Sequence, residues 1–162
     1  MTIYDFKVKD LQGNEQTLEA YKNKVLLIVN TATKCGLVSQ LGDFEDLYQT
    51  YGDEDFAVLA FPCNQFLKQE PLKGQNIENF CQFNYDTTFT IFDKIKVNGD
   101  HAHPLYKYLK DQTGGRSIKW NYTKFLINKN GEVVHRYAPV TKPKKLTEDI
   151  EALLQEVKST SV

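Results

Sequence analysis

The chain has 162 residues, of which 41% are hydrophobic and 25% are charged, and its formal net charge is -1. This length is typical of one globular domain, so we expect a single domain over residues 1–162. The small net charge gives no reason to expect nucleic acid or an anionic membrane as a partner. The first residues lack the basic and apolar regions of a signal peptide, and no segment approaches the ~18 apolar residues of a membrane span. We therefore expect a cytoplasmic protein.

Three cysteines, Cys35, Cys63 and Cys81, form an odd and sparse set. A secreted disulfide framework needs an even and denser set. The cysteine content therefore favours a reducing compartment, in which thiols are free or take part in transient, catalytic disulfide chemistry.

The first half of the chain predicts a βαβ unit after an N-terminal hairpin turn at residues 10–14 (DLQGN). Residues 25–30 (VLLIVN) are continuously apolar, as expected for a central strand that is covered on both faces. A helical repeat of apolar residues follows at Phe44, Leu47, Tyr48 and Tyr51. Residues 56–61 (FAVLAF) form the next predicted strand, so the two strands are expected to be parallel.

The second half predicts three helices and a hairpin. The spacing of Ile77, Phe80, Cys81 and Asn84 indicates a helix with Cys81 on its apolar face. Pro104 opens another helix, whose inward residues are predicted to be Leu105, Tyr108 and Leu109. Residues 129–132 (KNGE) lie between two strand patterns, at residues 125–127 and 133–134, and predict a hairpin. A closing helix is expected at Leu146, Ile150, Leu153, Leu154 and Val157, followed by a frayed polar tail at residues 158–162.

This order of elements is that of the thioredoxin-like fold, an α/β class with a mixed central sheet and helices on both faces. Cys35 follows the first central strand and precedes a predicted helix, where backbone N–H groups and the helix dipole favour a thiolate. The alternative is a buried cysteine that packs as a small hydrophobe. A thioredoxin-type site has a second cysteine three residues later. This chain has Val38 there, so a single activated thiolate is left.

Three separated segments resemble the glutathione peroxidase family, specifically its short, cysteine-containing branch. They are residues 30–36 (NTATKCG), residues 61–66 (FPCNQF) with residues 69–71 (QEP), and residues 119–126 (KWNYTKFL). The similarity runs over nearly the whole chain. It implies that Cys35 is the peroxidatic residue and that Gln69, Trp120 and Asn121 surround it. In many members of the family, selenocysteine stands at the first of these positions.

The residue types implied by this resemblance suit the chemistry. An unperturbed thiol is only about 3% thiolate at pH 7. Complete ionisation therefore raises the concentration of the nucleophile roughly 30-fold, which corresponds to about 2 kcal/mol. Further acceleration must come from donors aimed at the charge that develops as the O–O bond breaks. The amides of Gln69 and Asn121 and the indole of Trp120 offer neutral N–H groups, each worth about 2.7–4 kcal/mol when well placed.

Each of these three residues also has a structural explanation when it is taken alone. Trp120 is the only tryptophan and would suit the core, Asn121 would suit a turn, and Gln69 would suit the surface. Among other signals, the three histidines, His101, His103 and His135, lack the spacing of a metal site. A basic cluster at residues 139–145 is typical of a solvated helix start, although it would also suit the docking of an acidic reductant.

The resemblance also implies how the oxidised thiol is restored. Attack on a hydroperoxide gives a sulfenic acid on Cys35, which must be resolved before it is over-oxidised. Cys81, in residues 79–85 (NFCQFNY), matches the resolving cysteine of the branch that uses thioredoxin. The helical spacing also makes Cys81 a core residue of its helix, and a disulfide needs Cα atoms within about 7 Å. The helix must therefore partly unwind, and we expect residues 75–88 to loosen on oxidation. The family does not generally need the cysteine at the position of Cys63, which we interpret as packed core.

The implied activity is that of a thiol peroxidase, which reduces hydrogen peroxide and organic or lipid hydroperoxides to water or alcohols and defends against oxidative stress. Neither a metal nor another cofactor is implied. Thioredoxin is the expected reductant and glutathione the alternative. The segment between Leu109 and Trp120 lacks the inserted assembly loop of tetrameric relatives, which favours a monomer. The same cysteines would also serve a peroxide sensor that passes its oxidation to a partner protein.

Overall fold

The computed structural model describes residues 1–156. Within them, the strands are β1 (Lys7–Lys9), β2 (Glu15–Thr17), β3 (Val25–Thr31), β4 (Phe56–Pro62), β5 (Thr90–Ile91), β6 (Lys124–Ile127) and β7 (Val133–Tyr137). The α-helices are α1 (Gln40–Tyr51), α2 (Gln75–Tyr85), α3 (Pro104–Asp111) and α4 (Thr147–Gln155). Short 3-10 helices lie at Ile3–Asp5, Leu18–Tyr21, Gly52–Glu54 and Pro143–Leu146. None of the helices in this part of the chain is long and apolar enough to cross a bilayer.

A five-stranded mixed sheet in the order β5-β4-β3-β6-β7 forms the centre of the molecule. Every residue of β3 and β4 is buried, which explains why their sequences are continuously apolar rather than alternating. The two strands pair in parallel, with Val25 opposite Phe56 at one end and Thr31 opposite Pro62 at the other. The predicted βαβ unit is confirmed.

The two faces of the sheet carry different layers. On one face, Val25, Leu27 and Val29 of β3 pack with residues of α1, α2 and α4. On the other face, Leu26 and Ile28 pack with α3 and with the N-terminal residues that precede β3. Because successive residues of a strand point to opposite faces, β3 contributes to both cores. The predicted mixed sheet with helices on both faces is therefore confirmed.

Both predicted hairpins are present. β1 and β2 pair antiparallel across the turn at residues 10–14, and β6 and β7 pair antiparallel across residues 128–132. In the second turn, the Asn128 side-chain oxygen accepts hydrogen bonds from the backbone N–H groups of Asn130 and Glu132, each at 3.0 Å. Gly131 has a φ of +79°, a conformation that glycine adopts without a steric penalty.

Some details differ from the sequence prediction. In α3 the fully buried tyrosine is Tyr106 rather than Tyr108, because the Tyr106 ring packs edge-on against Phe61 and Phe125 from the sheet. Tyr108 is only half-buried. The two-residue strand β5 has no local pattern that predicts it, since its position is fixed by pairing with β4. Val157 and the predicted frayed tail at residues 158–162 lie outside the described residues.

Candidate active site

Cys35 lies in a series of turns between β3 and α1, and it is 3% exposed. The helix begins only at Gln40, so Cys35 does not lie directly at the helix start that the sequence predicts. The intervening residues form turns instead, in which the Val38 N–H donates to the Cys35 carbonyl at 3.0 Å. The Leu37 N–H points at the Cys35 sulfur at 3.4 Å. A backbone donor therefore faces the sulfur, although the helix start is displaced.

The loop that carries Gln69 is tied directly to the Cys35 loop. The Lys34 N–H donates to the Gln69 carbonyl at 2.9 Å. The side-chain amide of Asn121 donates to Oε1 of Gln69, also at 2.9 Å. Since Asn121 is fully buried, this bond fixes the oxygen of the Gln69 amide toward the protein interior and leaves its Nε2 group without a hydrogen-bond partner among residues 1–156.

Residues 120–122 are bonded to the end of β3, immediately before the Cys35 loop. The Tyr122 N–H donates to the Asn30 carbonyl at 2.7 Å, and the Tyr122 hydroxyl donates to the Ala32 carbonyl at 2.6 Å. The Asn30 side chain donates to the Trp120 carbonyl at 3.2 Å. Tyr122 has a φ of +68°, so the chain turns sharply where it enters β6. These bonds hold Trp120 and Asn121 beside the Cys35 and Gln69 loops.

The Trp120 ring is half-buried and packs against the ring of Phe66, with a centroid distance of 5.6 Å. It also contacts the core cluster that contains Cys35. The structure thus brings together the four residues that the sequence singled out, Cys35, Gln69, Trp120 and Asn121, from three separate segments of the chain.

Glu70 lies in the QEP segment, where the sequence assigns it no function, but the structure shows a fully buried carboxyl group beside the site. The Thr33 hydroxyl donates to Oε2 of Glu70 at 2.6 Å, and Oε1 has no hydrogen-bond partner among residues 1–156. Lys94 donates to the Glu70 backbone carbonyl at 2.6 Å, and the Asn64 side chain accepts from its N–H. Burial raises the pKa of Glu70, against the opposing effects of Thr33 and Lys94. The burial of this carboxyl group is not detectable from sequence spacing.

The raised pKa of Glu70 predicts a pH-dependent stability. The folded protein binds the Glu70 proton more tightly than the unfolded chain does. Proton binding therefore contributes fully to the free energy of unfolding below the pKa of Glu70 in the unfolded chain. This contribution is lost as the pH rises through the pKa of Glu70 in the folded protein. Glu70→Gln keeps the shape but removes the titration. In urea unfolding at pH 4 to 8, we expect the stability of this variant relative to the parent to increase with pH. A pH-independent difference would contradict this assignment.

Cys81 lies on the buried face of α2, and all three cysteines are free. Burial first, and then the charges of Glu70 and Glu78, raises the pKa of the Cys81 thiol to about 12. Cys35 and Cys81 belong to the same core cluster, which also contains Tyr122. Cys81 is therefore near the site, but as an inert, protonated thiol.

Cys63 lies in the opposite core, on the α3 face of the sheet. Its thiol donates to Oε1 of Gln65 at 3.7 Å, and burial raises its pKa. The sheet therefore separates Cys63 from Cys35 and Cys81.

A tight turn links Phe66 to Gln69, whose N–H donates to the Phe66 carbonyl at 3.2 Å. Its two central residues, Leu67 and Lys68, have φ values of +52° and +53°. Two consecutive residues with positive φ are the mark of a type I′ turn, which usually contains glycine, asparagine or aspartate. Sequence reasoning missed this conformation, because neither residue is typical of it.

The fold and site define a thiol protein of thioredoxin-like architecture. A thioredoxin-family thiol:disulfide interchange protein from Chlorobium tepidum TLS aligns with a TM-score of 0.70 and 16% identity, over 92% of each chain. At that identity the likeness shows the fold alone. The crystal structure of Trgpx in apo form aligns with a TM-score of 0.81 and 42% identity, over 96% of this chain and 97% of that one. The predicted fold class is confirmed.

The family model for glutathione peroxidase matches residues 3–110. The glutathione peroxidase homolog BsaA of Halalkalibacterium halodurans is 53% identical over 157 residues, covering 95% of this chain and 100% of that protein. The glutathione peroxidase-like peroxiredoxin 2 of Saccharomyces cerevisiae is 47% identical over 157 residues, covering 94% of this chain and 97% of that protein. The chain belongs to the glutathione peroxidase family. It is a thiol peroxidase that reduces hydroperoxides, as the sequence predicted.

Proposed function

We propose that Cys35 is the nucleophile of this peroxidase and that Gln69, Trp120 and Asn121 complete its active site. The Cys35 thiolate attacks the terminal oxygen of the hydroperoxide, an S–O bond forms, and the O–O bond breaks. The sulfur becomes a sulfenic acid, and the departing hydroxide or alkoxide takes up a proton as water or alcohol. The supporting observation is the bonded arrangement of the Lys34–Gln69 and Asn121–Gln69 contacts around the thiol loop.

The three neutral residues have different tasks in this proposal. Gln69 donates from Nε2 and Trp120 from its indole N–H to the oxygen on which negative charge develops. Asn121 is a positioning residue, because its side chain is fully buried and one of its amide N–H groups donates to Oε1 of Gln69. This differs from the expectation that all three residues donate to the substrate.

We further propose that Cys81 resolves the oxidised Cys35. The Cys81 thiol attacks the sulfenic sulfur, which gives the Cys35–Cys81 disulfide and releases water. Cys81 shares a core with Cys35, whereas Cys63 lies across the sheet. Because burial keeps the Cys81 thiol protonated, α2 must open before that thiol can react.

Contacts at the two ends of α2 support bounds for the segment that we propose to open. Upstream, the N-cap residue of α2 is Gly74, so no side-chain hydrogen bond caps the start of this helix. Downstream, the Glu45 carboxylate accepts hydrogen bonds from the Thr88 N–H at 2.7 Å, the Thr88 hydroxyl at 2.6 Å and the Phe89 N–H at 3.3 Å. We therefore narrow the segment predicted to loosen from residues 75–88 to residues 75–86, with Thr88 and Phe89 held in place.

Hydrogen exchange on the reduced and oxidised protein tests this step. In the oxidised protein we expect amides in residues 75–86 to lose protection, while the Thr88 and Phe89 amides keep theirs. Cys81→Ser is the matched control, because the variant is oxidised at Cys35 but forms no internal disulfide. It should stay protected and complete only one turnover with a thioredoxin system. Equal protection in both states of the parent protein would contradict the proposed opening.

Thioredoxin is the proposed reductant, and glutathione is the alternative. An internal disulfide is the natural substrate of a protein dithiol, which reduces it by exchange through a mixed disulfide. A yeast relative bears the name glutathione peroxidase-like peroxiredoxin 2, which supports a thiol reductant such as thioredoxin. We also propose that the chain acts as a monomeric, single-domain protein in the cytoplasm, where its three free cysteines would remain reduced.

Steady-state turnover with hydrogen peroxide tests the proposal. A thioredoxin system should sustain many turnovers, while glutathione at millimolar concentration should support at most a small fraction of that rate. Faster turnover with glutathione than with thioredoxin would show that glutathione is the reductant. Disulfide formation without turnover by either reductant would instead favour a peroxide sensor that passes its oxidation to a partner protein.

A further inference from the structure

The turn at residues 66–69 holds two ordinary side chains in a backbone conformation that glycine prefers. Leu67 and Lys68 both have positive φ values, and a left-handed conformation is unfavourable for residues that carry a Cβ atom. Leu67 is also 78% exposed, so no packing within residues 1–156 compensates for its conformation. Backbone strain of this kind clusters at active sites and ligand-binding segments.

The turn is part of the site rim. Phe66, on one side, packs against Trp120, and Gln69, on the other side, is bonded to Lys34 and Asn121. We propose that Leu67 is a specificity-determining residue, which contacts the hydrocarbon chain of a long-chain fatty-acid hydroperoxide as its peroxide group meets Cys35. This inference rests on the proposed function.

The chemistry around the turn suits such a substrate. Half-exposed apolar side chains lie near the turn: Phe66 packs against Trp120, and Leu37, Val38 and Trp120 pack against the core that contains Cys35. Lys34 and Lys68 are exposed, and neither forms an ion pair among the described residues. An apolar surface with two cations and no bonded carboxylate complements a free fatty acid, which combines a hydrocarbon chain with one negative charge. Hydrogen peroxide has no hydrocarbon chain that could contact Leu67.

Stopped-flow measurement of the oxidation of reduced protein, without any reductant, tests the inference. The oxidants are hydrogen peroxide, the hydroperoxide of an 18-carbon fatty acid below its micelle concentration, and the methyl ester of that hydroperoxide. For Leu67→Gly, we expect the rate constant for the fatty-acid hydroperoxide to fall about 5- to 10-fold and that for hydrogen peroxide to change less than about 2-fold. Lys68→Gln should reduce the preference for the acid over its methyl ester about 2-fold.

Three further variants separate the side chain from the turn. Leu67→Asn also tolerates the left-handed conformation but is polar, so it should behave like Leu67→Gly. Leu67→Met keeps an apolar side chain and should retain the parent rate. Phe83→Ala removes another exposed apolar side chain, 88% exposed on α2, and should change none of the oxidation rates.

Several results would overturn the inference. Equal losses for hydrogen peroxide and for the fatty-acid hydroperoxide would mean that the turn only positions Gln69. Unchanged oxidation rates with a higher KM for thioredoxin would assign the surface to the reductant. A loss seen only with hydroperoxides embedded in phospholipid vesicles would assign it to a membrane surface. None of these results would affect Cys35 as the nucleophile, since the proposed function fails only if oxidation does not depend on Cys35.

Discussion

Cys35→Ser is expected to lower the rate constant for hydroperoxide reduction by at least about 10⁴-fold. The thiolate is the group that attacks oxygen, and a serine hydroxyl without an adjacent base is a weak nucleophile. Cys35 is also the cysteine toward which the Leu37 N–H points and beside which the Gln69 loop is bonded. Peroxide consumption with a thioredoxin system measures the effect, and stopped-flow oxidation without reductant confirms that the first step is lost.

The other buried cysteines provide matched controls. Cys63→Ala removes a thiol that is as buried as Cys35 but lies on the opposite face of the sheet, so activity should stay within about 2-fold. Cys81→Ser should leave the first oxidation intact and block later cycles. If Cys63→Ala abolished activity while Cys35→Ser kept it, the nucleophile would have been misassigned.

Gln69→Ala is expected to lower the rate constant for oxidation by about 10²–10³-fold, which corresponds to about 2.7–4 kcal/mol. The expected loss is large because the Gln69 amide is fixed before the substrate arrives. Its oxygen accepts from Asn121 and its backbone carbonyl accepts from Lys34, so Nε2 is a preorganised donor. Stopped-flow oxidation by hydrogen peroxide isolates this step from resolution and reduction.

Asn121→Asp tests whether that orientation matters. A carboxylate at position 121 accepts and does not donate, so Gln69 would turn its Nε2 toward this carboxylate and away from the substrate. We expect the rate constant for oxidation to fall about 10- to 100-fold with Gln69 itself unchanged. Trp120→Phe keeps a ring against Phe66 but removes the indole N–H, so it separates donation from packing. Full activity of Asn121→Asp would exclude the positioning role of Asn121.

The fold is predictable where local patterns are strong. The buried run at residues 25–30, the apolar repeat of α1 and the Asn-Gly hairpin each express a period or a turn preference within a few residues, and each is confirmed. The predicted start of α1 is wrong, since the turns after Cys35 have no distinctive composition. The sequence pattern of α3 places Tyr108 inward, and Tyr108 does pack half-buried against the core, but the pattern misses the fully buried Tyr106. The burial of Tyr106 depends on Phe61 and Phe125, which are distant in sequence.

The candidate site is predictable as a set of residues but not as an arrangement. The motifs around Cys35, Gln69 and Trp120 supply the resemblance, and with it the identities of the reacting and donating groups. The proposed role of Asn121 changes from donor to positioning residue because of a hydrogen bond to a residue in another segment. The burial of Glu70 and the left-handed turn at Leu67 are not predictable from local patterns, since burial and backbone conformation are properties of the packed chain.

For this protein, the sequence by itself determined the order of strands and helices, the family and the lone thiol at Cys35, since all of these are written in spacings and residue types along the chain. Only the tertiary structure decided that Cys35 and Cys81 share one core while Cys63 lies across the sheet. Alternate residues of β3 and β4 face opposite sides of the sheet, so the sheet has two separate cores. The neighbours of each thiol therefore depend on which of the two cores its segment packs into.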